Sequence, residues 1–254
     1  GLDVEVIAEG WRVTAPTRRF DIAIEEDLIE EIARIHGYNA IPTTLPGGAT
    51  RVVSPSETVL DEATVRRQLV ARDYLEAINY AFVDGDLLAK WQATAGSVPL
   101  ANPLSAELST MRTMLMPGLV AALGRNAARQ QSRVRLFEIG KIFVARTGEA
   151  PLETRRLAAV VCGDARGEQW GVPARPVDFH DIKGDLDSLA AATGATLEYR
   201  PSQAVWGHPG RSADVYRMDE SGDGALIGWI GQLHPRLQRA LDLDAVAVAF
   251  EVDL

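Results

Sequence analysis

The sequence predicts an α+β chain, a mostly antiparallel sheet flanked by helices and preceded by a small, partial helical module. Three observations carry this reading. Strand-like runs such as TLEYR (196–200), SADVYRM (212–218) and ALIGWIGQL (225–233) succeed one another across turns. Long helical patterns are spaced unevenly among them, so the regular strand–helix alternation of a parallel, doubly wound sheet is absent. Two prolines and two glycines between Ile41 and Thr50 separate an acidic helical stretch from the larger, strand-rich remainder of the chain. With 254 residues, 46% of them hydrophobic, the chain can bury a full core.

Taken in order, residues 3–14 (DVEVIAEGWRVT) alternate and turn at Glu9–Gly10 as a hairpin does. Leu28, Ile29, Ile32 and Ile35 recur at helical spacing, which predicts an amphipathic helix over Glu25–His36, anchored by its isoleucine face and stopped by Gly37. The domain limits are a helical module over 1–46, a linker over 47–53 and a larger domain over 54–254. Ser54, Pro55 and Glu57 have the form of a capping box opening a helix that runs to about Arg72. Its apolar side is Val59, Leu60, Ala63, Leu69 and Val70. A strand over Tyr74–Val83 comes next, then a helix entered at Pro117. RVRLFEIGKIFVA reads as a long strand or strand pair, and RRLAAVVCG as another. A helix over Asp181–Thr193, the strands named above, a short helix near Pro235–Leu241 and the strand AVAFEVDL complete the chain.

The net charge of −9 and the pI near 5.0 argue against a free-standing nucleic-acid binder, though not against a domain that sits beside RNA in an assembly. The single cysteine, Cys162, lies in an apolar run and reads as a buried strand thiol, which fits a reducing cytosol. No apolar stretch reaches the length of a membrane span, and no signal peptide is visible. The chain opens on Gly-Leu-Asp rather than Met and reads as a piece of a longer protein. Glycine-rich phosphate loops, nucleophile elbows and zinc-type spacings are missing. The four histidines, at 36, 180, 208 and 234, are too scattered to form a ligand set.

Two charge patterns remain. Between Asp21 and Glu31 acidic side chains crowd next to the apolar stripe. Asp27, Glu30 and Glu31 are related by i, i+3 and i, i+4 and share one helix side, while Asp21 lies where a bend can return it to the same spot. Four such carboxylates form an all-oxygen set suited to magnesium or calcium. The plainer alternative is a solvated acidic first turn favoured by the helix dipole. Arg125, Arg129, Arg133 and Arg135 form the second pattern. Arg125 and Arg129 would share a helix face, either meeting phosphate or pairing at the surface or at an interface.

FDIAIEEDLIEEIARIHGYNAIP closely resembles the end of the helical module that precedes the synthetase-like domain in the bacterial phenylalanine–tRNA ligase beta subunit family. NPLSAELSTMRTMLMPGLVAALGRN, VRLFEIGKIF, DFHDIKGDLDSL, HPGRSADV and IGWIGQLHP resemble the same family in the same order, so the likeness spans essentially the whole chain. The resemblance implies a class II aminoacyl-tRNA synthetase-like domain that has lost its chemistry and packs against a catalytic alpha subunit, with two alpha and two beta chains in the assembly. It implies magnesium held by Asp21, Asp27, Glu30 and Glu31, no catalytic residue in this stretch, tRNA contacts in the full assembly and a cytoplasmic location. Editing and anticodon-reading modules would lie before and after it. Where class II enzymes carry an F-R-x-E pattern, FEIGKIF runs into Val144, Ala145 and Arg146, and valine offers no donor to an ATP phosphate. The closing glycine-rich pattern is replaced by Glu251 and Asp253, which would repel a triphosphate. Ser56–Arg72 and Tyr74–Val83 match the elements that form class II dimer interfaces, with Tyr74, Tyr80 and Phe82 as candidate contacts. Two other classes compete: a self-sufficient, divergent class II ligase, and a metal-dependent nucleic-acid-binding module.

Overall fold

Alternation over the first fourteen residues folds as expected, with β1 (Asp3–Ile7) antiparallel to β2 (Gly10–Thr14) and Ile7 opposite Gly10. The computed structural model describes residues 1–45, 47–48, 61–219 and 221–254. It divides into two compact units, Gly1–Ser54 and Pro55–Leu254.

In the first unit α1 spans Glu25–His36, with Glu25, Glu26 and Asp27 in its first turn and Arg34 and His36 in its last, each sign at the end the helix dipole favours. Gly37 ends it at a φ of 95°, where its N–H still reaches the Ala33 carbonyl at 2.9 Å. The expectation that the isoleucines anchor α1 is corrected. No residue of the helix is buried, and Ile29, Ile32 and Ile35 are 57%, 69% and 79% exposed.

The second unit is built on a seven-stranded sheet. Its strands are β3 (Leu75–Glu76), β7 (Val134–Arg146), β8 (Glu149–Cys162), β9 (Thr196–Pro201), β10 (Gly207–Met218), β11 (Gly224–Leu233) and β12 (Val248–Asp253). They lie in the order β3-β7-β8-β12-β11-β10-β9. Only the β3–β7 pair is parallel, so the sheet is mixed but chiefly antiparallel. A small second sheet joins β4 (Phe82–Val83), β6 (Thr110–Met111) and β5 (Val98–Pro99) in that order. The helices are α2 (Glu62–Val70), α3 (Gly85–Lys90), α4 (Met116–Ala127), α5 (Phe179–Thr193) and α6 (Pro235–Ala240).

Strand alternation sorts the core into two layers. Leu119, Val120 and Leu123 of α4 pack with Ala158 and Val160 of β8 and Trp229 of β11. Val65 and Leu69 of α2, with Ile182 and Leu186 of α5, pack against Ala159, Val161 and Phe250. Cys162 is a buried free thiol, and burial raises its pKa.

Three element expectations are revised. The helix predicted over 54–72 is not continuous. Asp61 has extended backbone and caps α2 by accepting the Thr64 N–H at 2.7 Å. The cap assigned to Ser54, Pro55 and Glu57, with Val59 and Leu60, lies outside the described residues. Val65 is buried where Ala63 was expected to be. The predicted strand Tyr74–Val83 is two short strands in different sheets. The chain leaves β7 after the Ala77 N–H meets the Phe137 carbonyl (2.7 Å), and Asn79 then donates to Glu138 at 2.7 Å. Finally, α4 ends at Ala127, so Arg129 sits in the next turn and does not share a helix face with Arg125.

Candidate functional site

The acidic set is assembled by the bend before α1. Arg19 lays its guanidinium across two carboxylates at once. Its Nε and Nη2 donate to Asp21 at 3.0 and 2.7 Å, and its Nη2 and Nη1 donate to Glu31 at 2.9 and 3.2 Å. Arg34 adds a 2.8 Å bond to Glu31 from the next turn. Asp27 turns away from this group, accepting the N–H of Ala23 (2.7 Å) and of Ile24 (2.9 Å), and so satisfies the exposed start of its own helix. Glu30 is exposed. Hydrogen bonds from Arg19 and then Arg34 draw the Glu31 carboxyl down to about 2. Arg19 likewise lowers Asp21, and the two backbone N–H groups lower Asp27.

Asp21 and Glu31 are thus brought together around a guanidinium, while Asp27 and Glu30 are not drawn to the same point. Among the described residues no three His, Cys, Asp or Glu side chains stand as a metal-holding group. The donor chemistry fits a hard divalent cation: four carboxylates within eleven residues of chain. The arrangement itself places Arg19 where such a cation would neutralise Asp21 and Glu31.

On the sheet, the positions expected to bear lost chemistry have structural work. Val144 pairs with Leu152 on β8, and among the described residues Arg146 pairs with Glu149, at 3.4 Å. Glu251 is a correction to the expected repulsive acid. It is fully buried, its Oε2 accepting the N–H of Leu115 (2.9 Å) and Met116 (3.0 Å) at the start of α4. Desolvation raises its pKa against the pull of Arg156, whose Nη1 lies 3.3 Å from Oε1. Arg156, missed in the sequence, is also 2.7 Å from Asp253, so its charge is met on both sides. Glu251, Arg156 and Met116 border a cleft of about 390 Å³ walled by Trp206 and Trp229.

Two buried ionic nodes also escaped sequence reasoning. Asp185 on α5 accepts from Tyr74 Oη at 2.7 Å, Arg135 at 2.5 Å and Arg72 at 3.1 Å, and the Arg135 guanidinium lies 4.4 Å over the Tyr74 ring. Glu138 on β7 takes Arg112 at 2.6 Å and Asn79 at 2.7 Å. Gly140 is the residue that admits Arg112, since a Cβ there would collide with its Nη2. Arg135 therefore leaves the expected surface cluster, and Arg133 pairs with Asp73 at 3.2 Å. Tyr74 is also corrected: it is 1% exposed, in the core rather than at a surface. Around the β3 edge, Val70 (56%), Leu75, Ile78 (93%) and Tyr80 (70%) are exposed, and Phe82 is half-buried.

Comparison with known proteins gives concordant matches. Residues 41–254 match the family model described as the phenylalanyl tRNA synthetase beta chain CLM domain, and residues 1–38 match the tRNA synthetase B5 domain. The phenylalanine–tRNA ligase beta subunit of Xanthomonas axonopodis pv. citri is 67% identical over 256 residues, covering 100% of this chain and 32% of the relative. That of Xylella fastidiosa (strain Temecula1) is 60% identical with the same coverage. The chain spans about a third of the length of the curated relatives it matches.

Proposed function

The chain belongs to the phenylalanyl-tRNA synthetase beta chain family, and from this membership we propose that it is the architectural, non-catalytic part of an enzyme that joins phenylalanine to its tRNA using ATP. In this reading 54–254 is a class II-like domain that packs against a catalytic alpha subunit, two alpha and two beta chains forming the cytoplasmic enzyme. Residues 1–46 belong to a metal-binding helical module joined through 47–53, and tRNA is met by the assembly more than by this chain. Among the described residues no helix is long and apolar enough to cross a membrane.

One observation carries the non-catalytic reading. At the positions where a class II site would grip ATP, Val144 has no donor and Glu251 is committed to the start of α4. Arg156, which pairs with Glu251, is neutralised by Glu251 and Asp253. An unpaired guanidinium is what a developing phosphate charge requires. The exposed apolar edge supports the partner: Val70, Ile78 and Tyr80 flank a strand whose outer side carries no neighbour among the described residues.

Magnesium, in this reading, is held by Asp21, Asp27, Glu30 and Glu31 once Arg19 is displaced, and it would supply charge neutralisation and local order rather than chemistry. Phenylalanine-dependent pyrophosphate exchange tests the central claim. The purified beta chain alone should give none, and activity should return when the alpha subunit is added. Exchange by the beta chain free of alpha would instead establish a self-sufficient ligase.

A further inference from the structure

A charged pocket of about 400 Å³ lies where the end of α2 meets α5 and the start of β7, and Arg72, Arg133, Arg135 and Arg166 line it. Its carboxylates are fewer and already engaged. Asp185 is shared by Arg72 and Arg135, Asp73 meets Arg133, and Asp181 is held by Arg175 at 2.5 Å. Arg166 has no carboxylate partner among the described residues. Positive charge is thus in local excess in a chain whose net charge is −9. Arg135 is only 8% exposed, yet its Nε has no hydrogen-bond partner among the described residues. A buried cationic donor without an acceptor is costly, and such groups mark sites where a ligand or water completes the bonding.

We propose that this pocket is an oxyanion subsite that takes the phosphate group of a phosphate ester. Guanidinium forks match the oxygens of phosphate in pairs, and here they converge from the turn after α2, the start of β7 with the residue before it, and the loop after β8. The volume exceeds one water's share of about 30 Å³ more than tenfold. It therefore has room for a phosphate together with part of the group it esterifies. Arg166, exposed and without a carboxylate partner among the described residues, can turn toward the ligand; Arg72, also exposed, reaches it while shared with Asp185, and the buried Arg135 supplies fixed charge.

The test uses the full-length beta chain titrated with inorganic phosphate at constant ionic strength set by potassium chloride. Calorimetry reads affinity, and the thermal midpoint reads stabilisation. Phosphate should raise the midpoint beyond chloride alone. Arg166→Ala, at an exposed loop position, should keep the unliganded midpoint and weaken phosphate binding about tenfold, the order expected for one charge-assisted hydrogen bond. Arg166→Lys should recover only part of the loss, because it keeps the charge but not the fork. Arg72→Gln is a second variant with the same expectation for affinity. A short RNA duplex that displaces phosphate assigns the group to a nucleic-acid backbone; failure to displace assigns it to a small phosphate ester. Phosphate acting no differently from chloride, or Arg166→Ala and Arg72→Gln both binding as wild type, would overturn the subsite.

Discussion

Arg19 decides how the acidic set behaves. Its hydrogen bonds lower the pKa of Asp21 and draw that of Glu31 down to about 2. A carboxylate whose folded pKa is lowered contributes stability above its unfolded value and loses it as pH falls through the folded one. The Glu31 contribution is therefore complete above the usual glutamate range and disappears toward pH about 2. Carboxyl NMR should place the Glu31 midpoint near 2, and Arg19→Gln should return it toward about 4.3. The same variant should tighten magnesium binding in calorimetry if the proposed metal competes with the guanidinium, and Glu30→Gln with Glu31→Gln should abolish the binding event. An isotherm indifferent to both changes would remove the metal from the set. Asp185 offers a second residue-level test. Asp185→Ala leaves Arg135 buried without its carboxylate, so urea unfolding should show a loss of about 3–5 kcal/mol.

Among the elements, α5 shows how much local chemistry encodes. Asp178 accepts the N–H of His180 (2.8 Å) and Asp181 (3.2 Å), and Asp181 accepts the Asp178 N–H (2.9 Å) in return. The sequence DFHD carries this reciprocal cap, so the helix starts at Phe179, two residues before the start its apolar pattern suggests. Gly194, at a φ of 71°, closes it in the left-handed conformation. Asp178→Ala should cost about 1 kcal/mol in chemical denaturation, because Asp181 then keeps only half of the arrangement. A loss below about 0.3 kcal/mol would mean that tertiary packing alone holds the helix end. The start of α4 works differently. Leu115 has helical backbone and caps nothing, so a carboxylate from β12 does the capping from 136 positions away. No local pattern announces that.

At the scale of the whole molecule, the exposed β3 edge matters most. Edge strands with large apolar neighbours pair with other chains unless covered. Val70→Asp and Ile78→Asp, at positions facing solvent, should leave the unfolding midpoint unchanged and weaken binding to the proposed alpha subunit roughly tenfold or more, as loss of one hot spot does. They should also reduce self-association of the unpartnered chain in sedimentation. Wild-type affinity in both variants would place the partner surface elsewhere. The acidic helix presents a comparable contrast. Its amphipathic period was legible, but Ile29, Ile32 and Ile35 find no core among the described residues.

By itself the sequence determined where most of the long helices and strands lie, because periods of 3.6 and 2, caps and turn residues act over a few neighbours, but it joined the short strands β3 and β4 into one. It determined α1 from Glu25 to His36, the long pair β7 and β8, the strands of the chain's last third and, through motifs in order, the family. It also marked Asp21, Asp27, Glu30 and Glu31 as an acidic set. Only the tertiary structure decided which charges are spent. It placed Arg19 between Asp21 and Glu31, set Arg135 and Tyr74 around Asp185, and brought Glu251 to the start of α4. The physical reason is that a buried ion pair depends on which elements close upon each other. Arg135 and Asp185 are 50 positions apart and Tyr74 and Asp185 111 apart, distances over which no periodic pattern carries information.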